Sequence, residues 1–125
     1  MNRLPLLLIA LLLGLSTLSA AAAPEAYRVK DVPNVQLTDR TRFVSDPADA
    51  IRPADEEALN RRIAALRDSF GVQIAIVVLP AIDGDKYGSA RAFANELFNT
   101  WGIGKKETNR GLLILLITNE DNREI

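Results

Sequence analysis

Apolar and polar positions change period several times along the 125 residues, and each change marks a different kind of element. Leu4 to Leu18 is an almost unbroken apolar run. Pro24 to Ile51 has no sustained period and carries Pro33 and Pro47, which predicts an extended lead-in over residues 24–42. Arg42-Phe43-Val44-Ser45-Asp46 then sets apolar residues beside a carboxylate, predicting a short edge strand that ends in a turn at Asp46-Pro47. Leu59, Ile63, Leu66 and Phe70 recur at steps of four, three and four, one stripe of an amphipathic helix. Pro53 suits the first helical position, and Asp55, Glu56 and Glu57 suit the positive end of the helix dipole. Arg52 stands where a capping Ser, Thr or Asp is expected, and Gly71 supplies the stop.

Val72 to Leu79 is rich in β-branched residues and apolar on both alternating sets, the pattern of a strand covered on both faces. After a turn-rich connection from Pro80 to Gly88, the positions Ala90, Phe93, Ala94, Leu97, Phe98 and Trp101 form a second helical stripe. Leu112 to Ile117 predicts a second buried strand. Strand, crossover helix and strand make a βαβ unit with parallel strands, and the earlier helix covers a face of the sheet. Asn119 to Asn122 reads as a turn, and Arg123-Glu124-Ile125 as the start of a third strand. The expected class is therefore α/β, incomplete at its C-terminus.

The first run is a different matter. Arg3 before it and Ala20 to Ala23 after it give a charged start, an apolar stretch and small residues, so residues 1–23 read as a signal peptide. The run is shorter than the ~20 apolar residues a spanning helix needs. No Cys follows to accept a lipid, so a periplasmic or secreted product is expected.

The composition, 48% hydrophobic and 25% charged, is that of a globular domain. Loss of the leader takes away Arg3 and no acid, so the net charge of −1 becomes more negative, which argues against a nucleic-acid partner. With no Cys, burial alone must stabilise an exported fold, and thiol catalysis is excluded. With no His, the commonest general base and transition-metal ligand is gone. The remaining oxygen donors suit calcium or magnesium. Ser45 and Ser89 have no His partner and lie outside Gly-x-Ser-x-Gly, so serine hydrolysis of that type is not expected.

In an open sheet, ligands bind beyond the carboxyl ends of parallel strands. Asp83-Gly84-Asp85 and Asn119-Glu120-Asp121 follow the two strands, making Asp83 and Asp121 candidate metal ligands, with simple turn formation the competing role. Trp101 lies on the apolar stripe and is expected to anchor the helix end. Gly102 and Gly104 are expected to serve backbone geometry, and Lys105, Lys106 and Arg110 form a small basic loop.

Trp101-Gly102-Ile103-Gly104-Lys105, then Asn109-Arg110-Gly111-Leu112-Leu113, is a rarer junction than any of these periods. With Val44-Ser45-Asp46 ahead of Pro53, the strand Gly71-Val72-Gln73-Ile74-Ala75-Ile76-Val77-Val78 and a turn ending in Arg123, it resembles the TPM domain family from about Phe43 to Ile125. The resemblance implies an α/β/α sandwich with a mixed sheet and helices on both faces, so that residues 43–125 form the domain. It also implies export or organelle targeting, and roles described as phosphatase-like, calcium-binding, or assisting membrane-protein assembly. It singles out Asp46 as a further metal ligand, with capping of a local turn the competing role, and Trp101, Gly102, Gly104, Asn109 and Gly111 as the structural motif. Arg52 departs from the family's capping Ser, and the family's glycine-rich second half is absent. The expected function is an exported binding module, calcium-binding and serving a membrane or envelope partner, with membrane association through sequence beyond Ile125. The alternative is a metal-dependent phosphatase.

Overall fold

The computed structural model describes residues 25–104 and 109–119. The predicted leader, Lys105, Lys106, Asp121 and the strand expected from Arg123 lie outside them.

Helix α1, Pro53–Phe70, forms where the stripe and the acidic first turn predict it. Arg52 gives no side-chain cap, and its guanidinium Nε instead donates to Asp55 at 2.8 Å. Gly71 closes the helix at φ 66°, its N–H bonded to the Arg67 carbonyl. Strand β3, Gln73–Leu79, pairs in parallel with β5, Gly111–Ile117, from Gln73 opposite Gly111 to Leu79 opposite Ile117. The short strand β2, Val44–Ser45, pairs in parallel with the other edge of β3, giving the order β2-β3-β5. Helix α3, Ala90–Trp101, makes the crossover. A second, two-stranded sheet joins β1, Ala26–Tyr27, to β4, Ala81–Ile82, also in parallel. Every described pairing is parallel, so an antiparallel member of the expected mixed sheet is not among the described residues.

Alternation along the strands sorts the layers. Val77, Leu79 and Ile117 join Phe93 and Leu97 of α3 in the main core, with Trp101, Leu113 and Leu115 packed against it. Phe93 and Leu97 are wholly buried, and the Tyr87 ring meets Phe93 edge-on at 4.8 Å. Val44 and Val78 point to the opposite face, where Ile63 of α1 is buried. A helix thus lies on each face of the sheet, as expected for an α/β domain.

Two expectations need correcting. The lead-in is no separate segment, because its Tyr27, Val29 and Val32 belong to the main core. Its contacts are discrete: Asp83 N–H donates to the Tyr27 carbonyl at 2.9 Å, and Val29 N–H to the Tyr87 hydroxyl at 2.8 Å. The two-residue strand Ala26–Tyr27, the 3-10 turn Val29–Asp31 and Val32 just after it bury these side chains without any regular period.

Strand β5 was expected to be buried on both faces, yet Leu112, Ile114 and Leu116 are 48%, 45% and 51% exposed. Helix α1 sits over β2 and β3, and it leans toward the lead-in. Asn60 Oδ1 accepts the Phe43 N–H at 2.8 Å, Glu56 pairs with Arg42 at 3.0 Å, and Arg67 lies over the Phe43 ring at 5.3 Å. Leu66 and Phe70, on the other flank of the helix, stay exposed with the uncovered face of β5.

Candidate functional site

Parallel strands send their following loops out at one edge, and the register brings three such loops together. Ser45 stands opposite Val77, and Leu79 opposite Ile117, so the chain leaves this sheet at its carboxyl edge at Asp46, Pro80 and Thr118, and Asp83 follows once β4 has paired with β1 in the second sheet. Thr118 N–H bonds to the Leu79 carbonyl at 2.9 Å and Asn119 N–H to that of Pro80 at 3.0 Å, which holds the last two loops side by side.

Asp46 organises the loop into α1. Its Oδ1 accepts the Ala50 N–H at 3.0 Å and its Oδ2 the Ile51 N–H at 2.7 Å, while its carbonyl accepts the Asp49 N–H at 3.1 Å. Asp49 takes up the reversal at φ 53°, a left-handed conformation that Asp tolerates better than most residues. No Lys or Arg side chain pairs with Asp46 among the described residues. Asp46, Asp49 and Glu56 line a small cleft of about 130 Å³, with Glu56 held in its pair with Arg42.

Asp83 is differently engaged. Its Oδ1 accepts the Lys86 N–H at 3.3 Å, capping the one-turn helix α2, Gly84–Tyr87, and its Oδ2 meets Arg28 Nε at 2.9 Å. The Arg28 hydrogen bond above all holds its carboxyl below the usual carboxylate value. Arg28 lies 55 residues away in the lead-in, and no spacing in the chain announces that pair. Asp121 lies outside the described residues. Among the described residues no group of three or more acids gathers that would hold a metal ion.

The two serines have structural duties. Ser45 is buried and donates from Oγ to the Pro33 carbonyl at 2.6 Å; Ser89 Oγ accepts the Ala92 N–H at 3.1 Å and caps α3.

The glycine junction lies at the opposite, amino edge. Gly102 ends α3 at φ 63°, with its N–H bonded to the Asn99 and Phe98 carbonyls. Gly104 follows at φ 78° and packs directly on Gly111, where a Cβ on Gly104 would stand 2.9 Å from the Gly111 nitrogen. Asn109 at φ 50° turns the chain into β5. The Gln73 carboxamide oxygen accepts the Gly104 N–H at 2.6 Å, and an Arg110 guanidinium NH donates to the Phe70 carbonyl at 2.8 Å. Trp101 packs against the core, as its place on the stripe predicts.

A family model described as the TPM domain matches residues 44–125. Among solved structures the chain is similar to the solution NMR structure of the N-terminal domain of a protein from P. gingivalis, at 41% identity and a TM-score of 0.63. The likeness covers 74% of this chain and 57% of that one, so the chain spans little more than half the length of that structure. No curated protein matches.

Proposed function

The chain belongs to the TPM domain family, and from that membership we propose that it is an exported binding module, taking calcium on the carboxylate edge of its sheet to engage a membrane or envelope protein. The observation that carries this reading is the parallel register of β2, β3 and β5, which sends the chain out at one edge of the sheet after Ser45, Leu79 and Ile117, with Asp46 directly after the first and Asp83 beyond the short strand β4 after the second. Carboxylates that converge repel one another, and a cation relieves them. Asp46 is the leading ligand, because it has no cationic partner among the described residues. Each carboxylate oxygen offers two lone pairs, so its bonds to Ala50 and Ile51 orient the group without using up its acceptor capacity. Asp83 ranks second, since a cation there competes with Arg28. Asp121, which lies outside the described residues and follows β5 in the sequence, is the third candidate ligand.

A binding role also suits the residue inventory. The chain has neither His nor Cys, and Ser45 and Ser89 are committed to the fold, whereas cation binding asks only for oxygen donors. Export rests on the charged start, apolar run and small residues of the first 23 positions.

Calorimetric titration of calcium and magnesium into the wild type, Asp46→Asn, Asp83→Asn and Asp121→Asn tests the reading, with phosphomonoester hydrolysis followed in parallel. Calcium heat that is weakened most by Asp46→Asn supports it. Absence of heat with either metal, or binding untouched by all three changes, removes the site. Metal-dependent phosphate release that Asp46→Asn abolishes would replace the module with a metal-assisted phosphatase.

A further inference from the structure

The amino edge of the sheet, across the molecule from the carboxylate loops, holds a cavity of about 380 Å³ between the lead-in, the start of β3 and the end of α3. That volume falls within the ~300–1,000 Å³ of ordinary small-molecule pockets. Its apolar lining includes Phe43, Ile74, Ile103 and the half-buried Trp101. Leu37, also in its lining, is 83% exposed, an unusual position for a large apolar side chain.

Both charged residues in the lining are basic, and Arg67 is ion-paired with Asp68 outside it. Arg40 and Arg67 line it, and no Asp or Glu does among the described residues. Arg67 is held in place: its guanidinium carbon stands 5.3 Å from the Phe43 ring centre, an NH donates to the Arg40 carbonyl at 3.3 Å, and Nε reaches Asp68 at 3.2 Å. The Arg40 guanidinium has no hydrogen bond or ion pair among the described residues. Gln73 uses its carboxamide oxygen on Gly104, which leaves its NH₂ group as a donor. The larger cavity beside α1, about 510 Å³, differs in kind: its Arg42 and Arg61 are offset by Asp39, Glu56 and Glu57 within the same lining. A guanidinium that is fixed over an aromatic ring, a second without a partner and an apolar wall make a complementary surface for one chemical class.

We propose that this cavity binds a small organic anion, with an apolar body against Trp101, Phe43 and Leu37 and a carboxylate or phosphonate head on Arg40 and Arg67. The site is separate from the carboxylate edge, and its test does not depend on calcium.

Trp101 is the only tryptophan, so its fluorescence reports on the cavity directly. The full chain is titrated with 4-phenylbutyrate, with the phosphonate of the same phenylalkyl chain, with the neutral 4-phenylbutanol and with inorganic phosphate. The expected result is a saturable change with either organic anion, weaker by about tenfold or more in Arg40→Ala and in Arg67→Gln, as loss of a charge-assisted hydrogen bond implies. Arg61→Ala, outside the lining, binds as wild type. The two anions separate a preference for carboxylate from one for phosphonate, and phosphate alone gives little response because it buries nothing apolar. The proposal is overturned if neither organic anion saturates, if phenylbutanol binds as tightly as phenylbutyrate, or if Arg40→Ala leaves affinity unchanged in a protein whose circular dichroism matches wild type.

Discussion

Replacing Gly104 by Ala tests the physical meaning of the Trp-Gly-x-Gly junction. The added Cβ would stand 2.9 Å from the Gly111 nitrogen and 3.0 Å from its Cα, distances that Cβ atoms do not tolerate from backbone, so the start of β5 must move. Gly104 also sits at φ 78°, where an L side chain costs about 1–2 kcal/mol. Forced repacking adds about 1–3 kcal/mol, for a total of about 2–5 kcal/mol. A small domain has about 5–15 kcal/mol in all, so the variant loses a large part of its stability. Gly102→Ala isolates the first cost, since Gly102 has φ 63° but no atom within 4 Å of the Cβ position, and about 1–2 kcal/mol is expected. Gly111→Ala isolates the second, with no positive φ but a Cβ 2.8 Å from three backbone atoms, and about 1–3 kcal/mol is expected. Because Gly104 and Gly111 share one contact, the double variant should lose less than the sum of the two. Urea melts of the full chain followed by circular dichroism resolve the series: at a slope of ~1–3 kcal/mol/M the Gly104→Ala midpoint falls by about 1 M or more. A Gly104→Ala midpoint no lower than that of Gly102→Ala would show that backbone approach at Gly111 does not matter.

Asn60→Ala deprives the Phe43 N–H of its partner beneath α1 and should destabilise by about 1–3 kcal/mol in the same melts; an unchanged midpoint means that the bond does not tie the lead-in to the helix. The Asp83 carboxyl is held below its usual value by Arg28, so the pair contributes stability above the unfolded carboxylate value near ~4 and loses it as pH falls through the lower folded value. Asp83→Asn should therefore flatten the acid limb of a stability-against-pH curve, and an unaltered limb would remove the pair from the account. Export predicts that protein recovered from the periplasm or medium has lost its leader by cleavage among Ala20 to Ala23, read by intact mass. Recovery in the membrane with Met1 to Leu18 attached contradicts it.

Both long helices and both long strands were legible because each carries a period or a composition that local physics dictates. Leu97 and Phe93 repeat on the buried face of α3, and Pro53 and Gly71 bracket α1. The lead-in was legible only as irregular, since Tyr27, Val29 and Val32 enter the core through turns and a two-residue strand. The open face of β5 was not legible at all, because Leu112, Ile114 and Leu116 look the same in sequence whether or not a helix lies over them. At the carboxylate edge, Asp46 and Asp83 could be placed after their strands, but not their partners. Ala50 and Ile51 serve Asp46 through backbone N–H groups, and Arg28 reaches Asp83 from a distant segment. Residue type does not encode the first and spacing does not encode the second. Arg40 and Arg67 likewise converge only because the lead-in folds across the end of α1.

The central claim is that the carboxylate edge takes a cation through Asp46, and amide chemical shifts of the ¹⁵N-labelled full chain under calcium titration test it most directly. The Ala50 and Ile51 N–H groups donate to the two Asp46 oxygens, so calcium on that carboxylate must change both resonances. Saturable shifts at Ala50 and Ile51 that vanish in Asp46→Asn are expected. Resonances that stay still at millimolar calcium, or that move unchanged in Asp46→Asn, contradict the account.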